Sequence, residues 1–430
     1  MLSNPMTVLQ ANPCIVFFCM PEAGHFHRLR SLISGLANKG ITVYVLTDVR
    51  FKTWIEEAGG RWIDLFSKYP LACADKKSTP VPCRYVSFAG HYAGAILEDV
   101  RRLKPSLIIY DTFAVIGYVI ATLLEVPYVN VCAGHNVNPS QFMEILKNDP
   151  RVNVSEECFN AVKKLRDEYG FREINPFSYI SVLSPFLNIY CEPPAFLDEA
   201  AREVFKPVAF FGSLPDLEPK VEPSPKPSRY FKTSTRETLK VYISFGTVVW
   251  RYYAGEALSV LQSLSDAISE MKHVLAVISL GNRDLNPEAA QGLKKENVDV
   301  HNHVEQKTIL KEADVFITHH GLNSTHEAIF YRVPMISYPF FWDQPALAQK
   351  CQDLGVAIPL VDSLRGRVAK GDVQSALAKV TESGSVIRNN LAVCAKWEEE
   401  VMRGRGFVIK KILQCFAAPE HNHRVAQVLR

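Results

Sequence analysis

A strand-like segment that ends in a polar turn carries the side chains best suited to binding phosphate. Residues 316–330 read Phe-Ile-Thr-His-His-Gly-Leu-Asn-Ser-Thr-His-Glu-Ala-Ile-Phe, which predicts a strand, a turn at Gly321 and a helix. A helix N-terminus attracts phosphate, and His319, Asn323 and Ser324 add side-chain donors. Glu327 shares a helix face with Asn323, so its carboxylate could accept both hydroxyls of a ribose. A solvated polar turn is the alternative for any single residue, but the whole set predicts a diphosphate site.

A second polar cluster follows the next strand-like run. Residues 338–344 read Tyr-Pro-Phe-Phe-Trp-Asp-Gln and come directly after a predicted strand at 334–337. Since parallel strands end at one edge of their sheet, this cluster should share a rim with the first. Asp343 and Gln344 have the hydrogen-bonding capacity to hold the hydroxyls of a sugar.

A histidine and an aspartate in the first half of the chain predict a base. Gly24 and His25 follow the first predicted strand, and Asp111 ends another at 107–110. A hydroxyl is a poor nucleophile until its proton is removed, and imidazole can remove it near neutral pH. Asp111 could orient the ring of His25. His27 is a second candidate base, and His25 could also be an ordinary loop histidine.

The elements that position these residues alternate between strand and helix. After a loop at 21–25, a helical pattern is predicted over 29–39. Such alternation in both halves predicts an α/β fold with parallel sheets. Five prolines between residues 213 and 228 predict a linker, and residues 385–415 predict one kinked helix or two. The strand-like runs are 14–20, 41–47, 107–110, 128–131, 241–245, 273–279, 315–318 and 334–337.

Several spaced motifs resemble the donor-binding signature of the UDP-glycosyltransferase superfamily, over about residues 241–360. The matching residues are His319 to Ser324, Glu327, Val333-Pro334 and Trp342 to Gln344, with a weaker match at Gly24, His25 and Asp111. The resemblance implies the GT-B architecture, in which two Rossmann-like domains with parallel sheets face each other across a cleft. By the same resemblance Thr247 would approach the donor phosphates, and Val304 and Gln306 would flank the nucleobase. The resemblance also implies that the donor site includes Gly24, Gly321 and Leu322.

Domain boundaries follow from the linker and the motifs. We expect an N-terminal acceptor-binding domain at 1–212, a linker at 213–229 and a nucleotide-sugar-binding domain at 230–384. A helical segment at 385–430 should pack back toward the N-terminal domain.

Four positions depart from the family pattern. His303 and Glu305 stand where a Trp and a Pro are usual, Arg332 replaces a common Gly, and His320 fills a position often held by Gly or Cys. The first two make the choice between UDP and TDP an open question.

Composition excludes several classes of protein. A net charge of +3 without a dense basic block argues against a nucleic-acid partner. The N-terminal residues lack a signal sequence and no run is long enough to span a bilayer, so we expect a cytoplasmic protein. Ten scattered cysteines predict reduced, buried thiols. The histidines lack metal-ligand spacing and no Asp-x-Asp motif is present, so neither a metal nor another cofactor is expected.

The expected function is therefore inverting transfer of a hexose, by preference glucose, from a UDP-sugar to a hydroxyl of a small, partly apolar acceptor. A TDP-sugar-dependent enzyme of the antibiotic type and a non-catalytic nucleotide-sugar-binding helper subunit are the alternatives. An epimerase or a phosphorylase would not need the pair His25 and Asp111. Aromatic and apolar side chains that could line an acceptor pocket, although such residues are more often core, are Phe26, Phe88, Tyr92, Phe113, Phe142 and Met143.

Overall fold

Two parallel β-sheets organise the chain. The computed structural model describes residues 13–132, 134–135, 138–214, 229–232, 234–235, 237–285 and 287–415. The described residues of Met1–Asp216 and Val401–Arg430 group into one compact unit, unit 1, and those of Leu217–Glu400 into another, unit 2.

Unit 1 is built on a seven-stranded parallel sheet with the strand order β3-β2-β1-β4-β5-β6-β7. Strands β1 and β4 are apolar and fully buried, as expected for central strands with helices on both faces. The strands are β1 (Cys14–Phe18), β2 (Thr42–Thr47), β3 (Arg61–Asp64), β4 (Leu107–Asp111), β5 (Tyr128–Cys132), β6 (Leu187–Tyr190) and β7 (Val208–Phe210). The helices are α1 (Ala23–Ala37), α2 (Lys52–Glu57), α3 (Arg84–Leu103), α4 (Val115–Leu123), α5 (Pro139–Asn148), α6 (Glu156–Tyr169), α7 (Ser178–Ser181) and α8 (Glu199–Val204).

Unit 2 repeats this plan with six parallel strands in the order β10-β9-β8-β11-β12-β13. The strands are β8 (Leu239–Ser244), β9 (Val274–Ser279), β10 (Val298–His301), β11 (Val315–Thr318), β12 (Met335–Ser337) and β13 (Ala357–Pro359). The helices are α9 (Val249–Tyr252), α10 (Ala254–Ser269), α11 (Pro287–Leu293), α12 (Gln306–Leu310), α13 (Leu322–Tyr331), α14 (Gln344–Asp353), α15 (Lys370–Glu382) and α16 (Gly384–Arg403).

Each sheet changes its direction of winding between two central strands. In unit 1 the chain moves outward from β1 to β3 and then returns to place β4 on the other side of β1. In unit 2 the corresponding neighbours are β8 and β11. Helices diverge from such a switch point and leave a crevice at the carboxyl ends of the two strands, where α/β proteins bind ligands.

The chain returns to unit 1 from Val401, near the end of α16, and continues into α17 (Arg405–Gln414), the last helix among the described residues. Gly404 lies between α16 and α17, so of the two forms predicted for residues 385–415, one kinked helix or two helices, the structure has two helices. The Nε atom of Arg405 donates to the carbonyl of Phe211 over 3.0 Å, and its guanidinium lies 4.7 Å from the Phe211 ring centroid. Residues 215–228 of the predicted linker lie outside the described residues.

The α/β prediction is confirmed, and each of the eight predicted strands overlaps a strand of the structure. The start of the first helix was predicted wrongly. Helix α1 begins at Ala23 rather than at residue 29, because the carbonyl of Glu22 already accepts the N–H groups of His25 and Phe26, at 3.0 and 3.1 Å. Gly24 and His25 therefore lie in the first helical turn and not in a loop.

All ten cysteines are free thiols, as predicted, and all but the exposed Cys73 are buried. No helix within the described ranges has both the length and the apolar character needed to cross a membrane.

Candidate active site

The candidate base lies at the switch point of unit 1. Helix α1 brings His25 to the carboxyl end of β1, and Asp111 is the last residue of the neighbouring strand β4. The Nδ1 atom of His25 and the Oδ1 atom of Asp111 are 2.7 Å apart, which is the distance of a good hydrogen bond. With Nδ1–H donated to the carboxylate, Nε2 is left as the proton acceptor.

The surroundings of Asp111 suit its carboxylate to stabilise a positive charge on the His25 imidazole. Its side chain is almost fully buried, and its Oδ2 atom is enclosed without a hydrogen-bond partner in the described structure. The backbone N–H of Phe113 approaches Oδ1 at 3.4 Å, and the Phe113 ring lies 4.3 Å from the His25 ring centroid. Such a carboxylate can stabilise the imidazolium that forms when His25 accepts a proton.

His27, the second candidate base, occupies a different environment. Its exposed side chain packs against Trp54, with the ring centroids 5.0 Å apart. Residues two apart on a helix point to nearly opposite sides, so the structure separates His27 from the pair of His25 and Asp111.

The aromatic residues predicted for an acceptor pocket fall into separate groups. Phe113 contacts the His25 ring. Phe26 is fully buried and stacks on Phe51, Phe88 is fully buried and contacts Tyr92, and Phe142 and Met143 lie on α5. Their role as an acceptor pocket stays a prediction.

Two tyrosines that the sequence did not single out surround Phe113. The rings of Tyr85 and Tyr179 lie 5.6 and 5.5 Å from it. The Tyr85 hydroxyl donates to Glu22 over 2.6 Å, and Arg84 donates to the same carboxylate oxygen over 2.8 Å. Tyr85 is buried on α3 and had no distinguishing signal in the sequence, where it reads as one core aromatic among many.

The candidate phosphate site lies at the switch point of unit 2. His319 follows β11, while Gly246 and Thr247 follow the neighbouring strand β8. The His319 ring packs so closely that a Cβ atom on Gly246 or Gly321 would come within 2.7 or 2.5 Å of its Nε2 atom. Glycine is therefore required at both positions if the ring is to stay where it is.

Burial keeps His319 neutral. Removal from water lowers the pKa of its imidazole to about 4, against the opposing effect of a hydrogen bond with the backbone of Ser244. The Nδ1 atom is buried without a partner among the described residues. A neutral imidazole carries one N–H, so it can donate to a phosphate oxygen only from the nitrogen that holds that proton.

The first turn of α13 offers backbone donors. Its N-cap is Gly321, whose lack of a side chain leaves the first N–H groups without a side-chain cap. Leu322 is buried, whereas Asn323 and Ser324 are partly exposed. The predicted strand, turn and helix are thus present, with the polar side chains on the accessible part of the helix.

Gln306, which is predicted to flank the nucleobase, contacts the residue predicted to bind the ribose. Its Nε2 atom lies 2.7 Å from the Glu327 carboxylate and 3.0 Å from the Ser324 hydroxyl. Burial raises the pKa of Glu327, although the Gln306 amide opposes that effect. Val304 is buried two residues before Gln306, and the N–H of Glu305 donates to the Tyr230 hydroxyl over 3.1 Å. The structure therefore brings Gln306, Ser324 and Glu327 together.

The two residues predicted to hold a sugar have different surroundings. Asp343 is the partly exposed N-cap residue of α14. Gln344 is buried, and its Oε1 atom accepts the backbone N–H groups of Phe340 and Phe341, at 2.9 and 3.3 Å. The side-chain amide oxygen of Gln344 thus closes the loop after β12. Sugar binding by this residue stays a prediction.

Two departures from the family pattern have a backbone explanation. His320 and Arg332 have φ angles of 58° and 59°, in the left-handed region that favours glycine. Arg332 is the exposed C-cap of α13, where such a conformation is common. Over the described parts of the chain, no three His, Cys, Asp or Glu side chains come together as a metal site.

Comparison with known proteins finds a family of transferases that part of the chain matches. Residues 201–398 match the family described as UDP-glucoronosyl and UDP-glucosyl transferase. A UDP-glucosyltransferase of Bacillus subtilis, YdhE, is 23% identical over 90% of this chain and 97% of its own length.

Solved structures share the fold. The glycosyltransferase of kitacinnamycin superposes with a TM-score of 0.70 at 18% identity, covering 94% of this chain and all of that one. The spinosyn rhamnosyltransferase SpnG, complexed with thymidine diphosphate, gives a TM-score of 0.60 at 18% identity, over 90% of this chain and 96% of its own.

The neutral state of His319 predicts a pH-dependent stability. Its pKa of about 4 lies below the 6.5 of an unperturbed histidine, so on acidification the unfolded chain takes up a proton before the folded chain does. Between about pH 7 and about pH 5 the wild-type protein should lose about 2 kcal/mol more unfolding free energy than His319→Asn. Urea unfolding at both pH values measures this, with the exposed His273→Asn as the control. Equal losses in wild type and His319→Asn would contradict it.

Proposed function

This chain belongs to the UDP-glycosyltransferase superfamily and is a glycosyltransferase of the GT-B type, and on that premise we propose what it transfers and how. It moves a hexose, by preference glucose, from UDP to a hydroxyl of a small, partly apolar acceptor, with inversion at the anomeric carbon. The observation that carries the proposal is the hydrogen-bonded pair of His25 and Asp111 at the switch point of unit 1.

The base chemistry follows from that pair. The acceptor hydroxyl gives its proton to Nε2 of His25 while its oxygen forms a bond to the anomeric carbon of the sugar. The bond between that carbon and the diphosphate oxygen breaks, and UDP leaves with the electron pair. A single displacement of this kind inverts the anomeric configuration. Asp111 stabilises the positive charge that His25 acquires, and this lowers the free-energy barrier to sugar transfer. The proposed single displacement involves no covalent intermediate between sugar and protein.

Unit 2 provides groups for the leaving nucleotide. The uncapped N–H groups of α13 would donate to the diphosphate, which gains negative charge as the sugar leaves. His319 would add a donor in the tautomer that places its proton on Nδ1. Glu327 would accept the ribose hydroxyls beside Gln306. Thr247, which follows Gly246 after β8, would approach the same phosphates. Asp343 and Gln344 are the proposed sugar contacts.

Two observations bear on the acceptor: the names of the structural neighbours and the residues around His25. The glycosyltransferase of kitacinnamycin and the spinosyn rhamnosyltransferase share this fold, and their names contain those of the compounds kitacinnamycin and spinosyn. The apolar group around Phe113, next to His25, is compatible with a lipophilic acceptor. A TDP-sugar is the second candidate donor, because SpnG binds thymidine diphosphate and His303 replaces the usual Trp here. Incubation with UDP-glucose and a TDP-sugar, each with a panel of phenols, macrolides and sterols, would decide both questions by mass spectrometry.

Loss of the base should reduce turnover strongly. His25→Ala should lower kcat by about 10²–10⁴-fold, the usual contribution of a positioned base, and leave UDP affinity nearly unchanged. Asp111→Asn should also be severe, and the double variant should cost much less than the product of the two effects. Steady-state kinetics of the four proteins measures the coupling, with His27→Ala as the matched histidine control.

Acceptor acidity provides an independent check on the base. Nitrophenols that are already ionised need no proton removal, so His25→Ala should retain more activity on them than on aliphatic alcohols. Equal losses on all acceptors, or a larger effect of His27→Ala, would show that His25 is not the base.

The ribose contact can be measured without turnover. Glu327→Ala should weaken UDP binding by about 1–3 kcal/mol, because hydrogen bonds to a charged acceptor are lost. Isothermal titration calorimetry gives the affinity, and Glu288→Ala, an exposed glutamate on α11, is the control. A UDP affinity equal to that of wild type would remove Glu327 from the site.

We expect catalysis without a metal ion. The N-terminus of α13 can offset the charge on the departing diphosphate, so EDTA should leave turnover unchanged. The assay compares initial rates before and after chelation and after addition of Mn²⁺. Loss of activity with EDTA that Mn²⁺ restores would contradict a metal-free mechanism.

A further inference from the structure

His320 is a fully buried histidine inside the candidate phosphate loop. It lies between His319 and Gly321, and its φ angle of 58° places it in the left-handed region. Glycine adopts this conformation without the steric cost that a Cβ atom brings. A bulky imidazole at such a position therefore needs compensating interactions.

Three hydroxyl groups provide those interactions. The Nε2 atom of His320 lies 2.8 Å from Ser337 Oγ, and its Nδ1 atom lies 3.2 Å from Thr325 Oγ1. The backbone N–H of His320 donates to Thr318 Oγ1 over 3.2 Å. Both ring nitrogens are thus in hydrogen-bond contact inside the protein.

The three partners belong to three different elements. Thr318 ends β11, Ser337 ends β12 and Thr325 lies in the first part of α13. The imidazole therefore connects the end of β12 with α13, and the backbone N–H of the same residue adds a contact to the end of β11.

The connection fixes the groups on either side of His320. The peptide that follows His320 leads into Gly321, the N-cap of α13, and so sets the direction of the first N–H groups of that helix. The residue before it is His319, whose ring has only the space left by Gly246 and Gly321. A rotation of the backbone at His320 would move the His319 ring and the helix N-terminus at the same time.

We propose that His320 is a positioning residue for the nucleotide diphosphate, acting through Ser337 and Thr325 and not by touching the ligand. The proposal rests on the proposed function, because it assigns His320 to the site that would hold the diphosphate. The imidazole keeps the phosphate-binding N–H groups and His319 in one arrangement before the ligand arrives, which lowers the entropic cost of binding.

Replacement by glycine separates this role from simple filling of space. His320→Gly suits the left-handed backbone, so a space-filling histidine could be replaced with no loss of nucleotide affinity. A positioning histidine predicts a UDP dissociation constant about tenfold higher, the effect of losing about one net hydrogen bond from the bound arrangement. Arg332→Gly is the matched control, because it makes the same change of backbone preference at the exposed far end of α13.

A second variant keeps the test valid if His320→Gly folds poorly. Ser337→Ala removes one partner of the imidazole without altering the loop, and it should raise the UDP dissociation constant by a few fold. The double variant should bind no worse than His320→Gly alone, since both changes remove the same contact. Near-native dissociation constants for His320→Gly or for Ser337→Ala, or additive losses in the double variant, would overturn the proposal.

The readout also separates this proposal from the proposed function. Calorimetry is carried out with UDP and with TDP, so neither acceptor nor turnover enters the measurement. If the wild-type chain binds neither nucleotide, the proposed function fails and the proposal fails with it. If the wild type binds and His320→Gly binds equally well, only the assignment of His320 is wrong.

Discussion

The hydrogen-bonded pairing of β1 with β4, and of β8 with β11, is the constraint on which the rest of the structure depends. In each sheet these two strands are neighbours in space but are separated in sequence, so the segments that follow them leave in different directions. The candidate reactive side chains lie in the gap between those segments. His25 and Asp111 meet at one such gap, and His319 packs beside Gly246 at the other.

Close packing of backbone shapes the second gap. A Cβ atom on Gly281 would lie 2.2 Å from the carbonyl of Gly246, and Gly246 itself leaves space only for the His319 ring. The loops after β8 and β9 therefore pack backbone against backbone, and the His319 ring fills the space between the loops after β8 and β11. This arrangement keeps water away from the ring and explains why His319 is neutral while its neighbours Asn323 and Ser324 stay partly exposed.

The sequence was sufficient for the fold class and for the pairing of His25 with Asp111, because both residues stand at the ends of strongly apolar runs whose strand character is clear. It was not sufficient where tertiary packing decides. The early start of α1 depends on the hydrogen bonds that the carbonyl of Glu22 accepts. The hydrogen bond between the Gln344 side chain and the N–H of Phe340 depends on how the loop after β12 folds. Likewise, His320 read as a departure from a motif until its contacts with Ser337 and Thr325 were known.

The return of α17 to unit 1 has a consequence for how the protein is made. Arg405 binds the carbonyl of Phe211, and a Cβ atom on Gly35 would lie 2.8 Å from Ile409, so α17 fits closely against segments synthesised long before it. During translation those segments must wait while all of unit 2 leaves the ribosome. Until then the apolar surface that α17 covers is open to solvent and to chaperones, whereas unit 2 is continuous in sequence and can fold as soon as it emerges.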